Sequence, residues 1–390
     1  MATPIFLLGM VSLFTDVSSE MIQSILPLYI IEIGGTALAL GIITGVTSAL
    51  SNILKGISGW LSDKFNRRKP FVVTGYAISN LSKPFIGIIP SWQYVLGMKT
   101  IDRVGKGIRT SPRDALISFH ALKKGKSFGL HRSLDTLGAV IGSLIASLLL
   151  FLGSSYTFII FFSIIPGVIA IILLMPVKEV RLEDSASKFD EEKEVLDEKF
   201  SKSFFKLIVV LGVIEFASLD VAFLIIRAAD FIPDEMVFLI PIFYLILNIV
   251  YALFSPLSGH ISDKLGRKPV IVAGLSILLA SCIILAFPFN VSMYSGILIL
   301  IIFIMYGFYM AFVDPISRAY IADLVGKKKR GRAYGYYYLS IGLISMIETV
   351  IFGFIYDNFS FTWAFLYISL LLIICVIIFI FTDFTKIIAK

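Results

Sequence analysis

Five charged residues recur along one apolar segment: Lys99, Asp102, Lys106, Arg109 and Arg113, at steps of 3, 4, 3 and 4. At about 100° per residue, these steps return to one narrow face of a helix. Each such charge costs roughly 2.5–3.5 kcal/mol at the centre of a bilayer. The stripe must therefore line a wet cavity or meet acids across helix interfaces. Asp16 and Glu20, spaced i, i+4 in another apolar segment, look the same way. Further acids fall in apolar segments at Asp135, Glu215, Asp220 and Glu348. Carboxylates facing cations inside a membrane are parts for a proton relay or a charged-solute site. Internal pairing that merely holds helices together is the competing reading of each group. The basic surplus calls for an anionic or zwitterionic organic solute. Phe6, Phe14, Tyr29, Phe216, Phe223, Tyr244, Tyr309, Tyr336 and Tyr337 could wall in an amphipathic one.

The elements that must position these groups are membrane helices. Of 390 residues, 57% are hydrophobic and only 16% charged, against roughly 25% charged in globular domains. The apolar residues come in runs of about 20 separated by short polar turns. Twelve spans are expected at 5–31, 38–61, 70–90, 92–118, 127–152, 156–177, 204–228, 236–258, 269–288, 292–318, 332–356 and 361–382. The fold class is all-α integral membrane, with twelve transmembrane helices in two pseudo-symmetric six-helix halves. One long hydrophilic segment, rich in Glu and Lys, reads as a cytoplasmic linker over 178–203. It joins an N-terminal half over 1–177 to a C-terminal half over 204–390.

The net charge of +7 sits in alternate loops, around Lys64–Lys69, Lys123–Lys126, Lys264–Lys268 and Lys327–Arg332. The intervening loops carry no Lys or Arg. This asymmetry places the basic loops and both termini in the cytoplasm, on a multi-pass protein of the cell membrane. It also accounts for the charge without nucleic acid. Cys282 and Cys375 lie inside apolar spans, which indicates neither a disulfide nor a redox role. His120, His131 and His260 lack metal-ligand spacing, and no cofactor is expected. The first helix reads as a retained span and not as a removed signal. No phosphate-binding Gly-x4-Gly-Lys-Ser/Thr loop marks a primary pump. Nor does any nucleophile–base pair mark an enzyme.

Gly59-Trp60-Leu61-Ser62-Asp63-Lys64-Phe65-Asn66-Arg67-Arg68-Lys69 is echoed one half-chain later by Gly259-His260-Ile261-Ser262-Asp263-Lys264-Leu265-Gly266-Arg267-Lys268. Gly266 suits a turn of positive φ, and Asn66 is the next-best residue for that slot. Asp63 and Asp263 can cap a neighbouring helix, while the basic residues can pair with acids at helix ends. The repeated signature resembles the loop motif of the major facilitator superfamily, and its duplication fits a two-half transporter. The resemblance implies a cytoplasmic latch built from Gly59, Asp63, Arg67 and Arg68 and from Gly259, Asp263, Arg267 and Lys268. Arg113 and Asp114 are expected partners of the first copy. A loop that only sets topology is the alternative.

Arg103-Val104-Gly105-Lys106-Gly107 resembles the family's fourth-helix motif, which makes Arg103 the implied coupling arginine and puts Lys106 at a position usually held by glutamine. Gly129, Gly138 and Gly142 resemble the antiporter motif of drug:proton exchangers, where small residues let helices cross closely. Ser143 and Ala146-Ser147 stand where that motif has proline and a glycine pair. Phe14–Met21 and Gly107–Ala115 are similar to a prokaryotic subgroup of the superfamily. Together the resemblance and the charges lead to one expectation: proton-coupled secondary transport of a small organic solute by alternating access, as efflux by antiport. Asp16, Glu20, Arg103, Lys106, Arg109 and Asp220 would form the coupling and substrate cavity. Proton symport importing an organic anion is the alternative that the altered motif favours. A sensor or scaffold that does not transport is the alternative of another class. The expected partners are the solute, protons and the bilayer, and the expected state is a monomer.

Overall fold

The computed structural model describes the backbone of residues 4–65, 67–120, 124–177, 200–289, 291, 293–325 and 330–382. Asn66 and most of the expected linker, 178–199, lie outside the described residues, as does the side chain of Asp63.

Among the described residues, twelve helical spans follow one another. The first is Pro4–Gln23 continued by Leu26–Glu32, the second Ala37–Lys64, the third Lys69–Ser82 with a 3-10 turn over Lys83–Gly87, and the fourth Trp92–His120. The fifth is Lys124–Phe151, the sixth Tyr156–Phe162 with Ile164–Leu174, the seventh Lys202–Phe216 with Val221–Ala229, and the eighth Leu239–Leu265. Arg267–Leu285, Met293–Leu324, Arg330–Asn358 and Phe361–Phe381 complete the set. Ten of these spans are long and apolar enough to cross a bilayer. The third and fourth are the exceptions, and the reasons are physical. The third has only 14 α-helical residues before its 3-10 turn, and the fourth carries the charged stripe. They are packed on each other, with the second span against the fourth and the sixth against the third.

Four spans are broken where the sequence reading has them continuous. Pro27 opens the second piece of the first span, because proline lacks the amide that would continue the ladder. Pro84 does the same in the third. Ser163 interrupts the sixth. In the seventh, Asp220 restarts the helix as its N-cap, Oδ1 accepting from the amide of Ala222 at 2.8 Å. Gly266 takes a φ of 90° between the eighth and ninth spans, the turn that its place in the loop motif requires.

Two seams join the halves. The second span runs along the eleventh, and the fifth along the eighth. A Cβ at Gly45 would stand 2.5 Å from Thr349 Oγ1 and 2.8 Å from Met346 Cα, so glycine permits the approach. At the same end, Asp357 accepts from the amides of Ala37 (3.0 Å) and Leu38 (2.8 Å). Ser147 there donates to the carbonyl of Phe238 at 2.7 Å, and the Phe151 and Phe238 rings meet edge-on at 5.1 Å. Towards the basic-loop end, Gly56, Gly129, Gly259 and Gly335 have nothing within 4 Å of an added Cβ. An added methyl would therefore clash at Gly45 and meet open space at these four positions.

Candidate functional site

The fourth span directs its charges at the third and first spans. Asp102 is its hub: Ser79 Oγ donates to Oδ1 at 2.6 Å, Lys99 Nζ lies 3.8 Å from Oδ2, and Arg103 Nε lies 3.9 Å from it. Lys99, Asp102 and Arg109 are buried. Arg109 lies over the Tyr76 ring at 4.1 Å, and its Nε and Nη1 have no hydrogen-bond partner. Gly75 and Gly105 let the third and fourth spans touch backbone to backbone. Lys83 is buried too, donating to Asn80 Oδ1 (2.9 Å) and to the Thr15 carbonyl (3.3 Å). Much of the stripe is thus a polar seam between helices rather than the wall of a wet cavity.

Arg103 departs from that seam and donates from Nη2 to Gln23 Oε1 on the first span at 3.2 Å. One helical turn nearer the chain's start, Glu20 accepts at Oε2 from the Tyr244 hydroxyl at 2.9 Å, across the halves. Asp16 lies within electrostatic reach of Asp135, Lys106, Arg109 and Glu20. The fifth span holds both acids in place. A Cβ at Gly138 would come 3.1 Å from Asp16 Cβ, and one at Gly142 would come 3.2 Å from Glu20 Cβ. A Cβ added at Gly129 would meet nothing within 4 Å.

In the second half, the seventh, eighth, tenth and eleventh spans line a cavity of about 260 Å³. Glu215, Asp220, Asp314 and Glu348 line it, with Tyr244, Tyr306 and Tyr309. Of the six residues expected to form one cavity, Asp220 lines it and Glu20 reaches its wall through Tyr244. Asp16, Arg103, Lys106 and Arg109 stand on the first-half side and are not among its lining residues. Asp314 and Gln23 were missed by the sequence reading. An acid in an apolar segment, followed by Pro315, was the available signal for Asp314. Of the aromatic candidates, Tyr244 and Tyr309 line the cavity. Tyr29 and Phe223 are instead core residues, Phe223 against Phe352 at 4.4 Å, and Tyr336 packs on the Phe200–Phe205 cluster.

The two loop motifs are held differently. Arg267 joins the eighth and tenth spans, bonding Asp263 at 2.6 Å and Asp323 at 2.9 Å, and Lys268 donates to the Thr382 carbonyl at 2.6 Å. In the first half, Gly59 admits Ser111, whose Cβ would be 3.2 Å from an added methyl, and Arg67 is exposed. Arg113 pairs with its neighbour Asp114 at 2.8 Å and donates to Ser12 at 3.3 Å. Asp263 therefore engages an arginine rather than capping a helix.

The profile of the Major Facilitator Superfamily matches residues 8–249 and 243–387. An uncharacterised MFS-type transporter of Methanocaldococcus jannaschii is 36% identical over 376 residues, covering 95% of this chain and 92% of that one. The multidrug transporter MdtP of Bacillus subtilis is 33% identical over 126 residues, 32% of this chain and 22% of that one. Among solved structures, the nucleoside transporter NupG superposes with a TM-score of 0.79 at 13% identity, covering 97% of this chain and 98% of its own, a likeness of fold. With its twelve spans and its paired loop motifs, the chain belongs to the major facilitator superfamily.

Proposed function

We propose that the protein is a proton-coupled secondary active transporter that exports a small organic solute by alternating access. The observation that carries this reading is the Glu20–Tyr244 hydrogen bond, which ties a carboxylate of one half to a cavity-lining residue of the other. Ionised Glu20 accepts a charge-assisted bond; a protonated one accepts a weaker bond and loosens the contact. Proton occupancy is thereby linked to how the halves sit against each other. Asp16, one turn away, completes the pair, and Arg103 and Lys106 answer their charge. In this reading the halves span 1–177 and 204–390, joined by a cytoplasmic linker over 178–203. The basic loops and termini face the cytoplasm of the cell membrane, the loop motifs act as the latch on that side, and one chain suffices. Export by antiport is favoured by the likeness to a multidrug transporter and by Gly138 and Gly142 packing on the acid-bearing turns.

Symport of an organic anion is the second reading. It is favoured by Ser147, which replaces a motif glycine and bonds the Phe238 carbonyl across the seam.

The test is Asp16→Asn and Glu20→Gln in proteoliposomes, using a solute drawn from a panel of organic anions, zwitterions and cations. Each variant should lose uphill, proton-driven transport while keeping solute exchange. Normal coupled transport by both would remove the pair from the mechanism.

A further inference from the structure

The 260 Å³ cavity is lined by four carboxylates and, among its described lining residues, by no Lys, Arg or His. Two of the four are engaged. Asp220 caps its helix, and Asp314 lies 3.7 Å from Arg318 and accepts from the Tyr251 hydroxyl at 3.4 Å. Glu348 is different. The residue is 2% exposed, it faces the cavity, and its Oε1 is buried with no hydrogen-bond partner. A buried carboxylate oxygen without a partner is costly, and a cationic group placed beside it would remove that cost.

The walls suit such a group. The Tyr306 and Tyr309 rings meet edge-on at 5.4 Å. Their hydroxyls are occupied, Tyr306 by the Leu219 carbonyl and Tyr309 by Ser218 at 2.8 Å, which fixes the rings in place. Aromatic faces attract cations, most strongly where water is excluded. Size separates an organic cation from a bare ion. One water-sized guest needs only about 10–15 Å³ of such space, so a cavity of about 260 Å³ has room for a small organic group, just under the roughly 300 Å³ of drug-sized sites.

We propose that this cavity seats a protonated or quaternary amine of the solute, with Glu348 and Glu215 as counter-charges and Tyr306 and Tyr309 as walls. The proposal rests on the transport reading only in making that amine part of the cargo. It turns the expectation from an anion, drawn from the basic first half, to a solute that carries a cation.

The experiment uses the full chain in detergent and three matched probes: 2-phenylethylammonium, 2-phenylethanol and 3-phenylpropionate. Equilibrium binding and melting temperature are read in a potassium buffer, with sodium chloride as a fourth arm. The ammonium should bind at least about tenfold more tightly than the alcohol or the carboxylate. Glu348→Gln and Glu215→Gln should each erase most of that preference. If Glu348→Gln fails to fold, Glu215→Gln and the wild-type series decide. Equal or tighter binding of the alcohol or carboxylate, no binding of any probe, or matching stabilisation by sodium alone would overturn the proposal. Solute flux in liposomes is scored separately. Ammonium binding without flux would sink the transport reading and leave this site standing. Flux indifferent to the solute's charge would do the reverse.

Discussion

The hydroxyl of Tyr244 donates to Oε2 of Glu20 at 2.9 Å, and this bond joins the first span to the eighth beside the acidic cavity. Few contacts could report better on the relation between the halves. A double-mutant cycle of Tyr244→Phe and Glu20→Gln should give a coupling of about 0.5–2 kcal/mol, the range for polar contacts between membrane helices. Unfolding titrations in mixed micelles measure it. Strictly additive effects would mean that the bond does not hold the halves together.

Asp357 ties the eleventh span to the second, at the end away from the basic loops, by accepting from the amides of Ala37 and Leu38. Asp357→Ala removes a helix cap worth about 1 kcal/mol, or about fivefold in the balance between closed and open ends. A cysteine at Ala39, 3% exposed, reads this out. The native Cys282 and Cys375 are buried and give little background. Labelling by a membrane-impermeant maleimide should speed up about fivefold in Asp357→Ala. An unchanged rate would show that the cap is not part of the closure.

Gly142 and Gly129 belong to one motif but should behave in opposite ways. A Cβ at Gly142 would stand 2.5 Å from the Val17 carbonyl oxygen and 3.1 Å from Val17 Cα, so the backbone must move. Gly142→Val should cost about 1–3 kcal/mol and abolish transport, because it displaces the turn that carries Glu20. Gly129 has open space, and Gly129→Ala should be neutral or gain up to about 1 kcal/mol. Thermal melts with a transport assay separate the two, and similar losses in both would contradict the packing described.

Asp102 is placed as a structural counter-charge. Asp102→Asn leaves Lys99 buried beside a neutral group, which should cost about 3–5 kcal/mol. Pairing Lys99→Met with Asp102→Leu should recover part of the loss, since an apolar pair replaces the buried ion pair at little cost while Ser79 and Arg103 still lose a partner. Yield and melting temperature check this. A double variant as unstable as the single one would show that Asp102 does more than neutralise Lys99.

Span existence and order were legible because apolar runs long enough for a bilayer are hard to mistake. The breaks within spans were not legible. Asp220 reads as one more acid in an apolar run until the chain is seen to stop at Ala217 and restart with Asp220 as its cap. The charges of the fourth span were legible as a stripe, but their division was not. Spacing puts Asp102 and Arg109 on one face without telling that Ser79 and Tyr76 of the third span wait there. Gln23 and Asp357 gave no signal, because their roles depend on neighbours 80 and about 320 positions away. The acids at Glu215 and Glu348 were visible singly; only tertiary packing gathers them with Asp314 around one cavity.

The central claim is that solute movement and proton movement are one process. The most direct test places the purified protein in liposomes that contain a pH-sensitive dye and carry an imposed proton gradient. Organic cations, zwitterions and anions are then added one at a time. The account predicts proton flux that appears only with particular solutes and vanishes in Glu20→Gln. Solute movement with no accompanying proton flux, from folded protein beside a working control transporter, would contradict it.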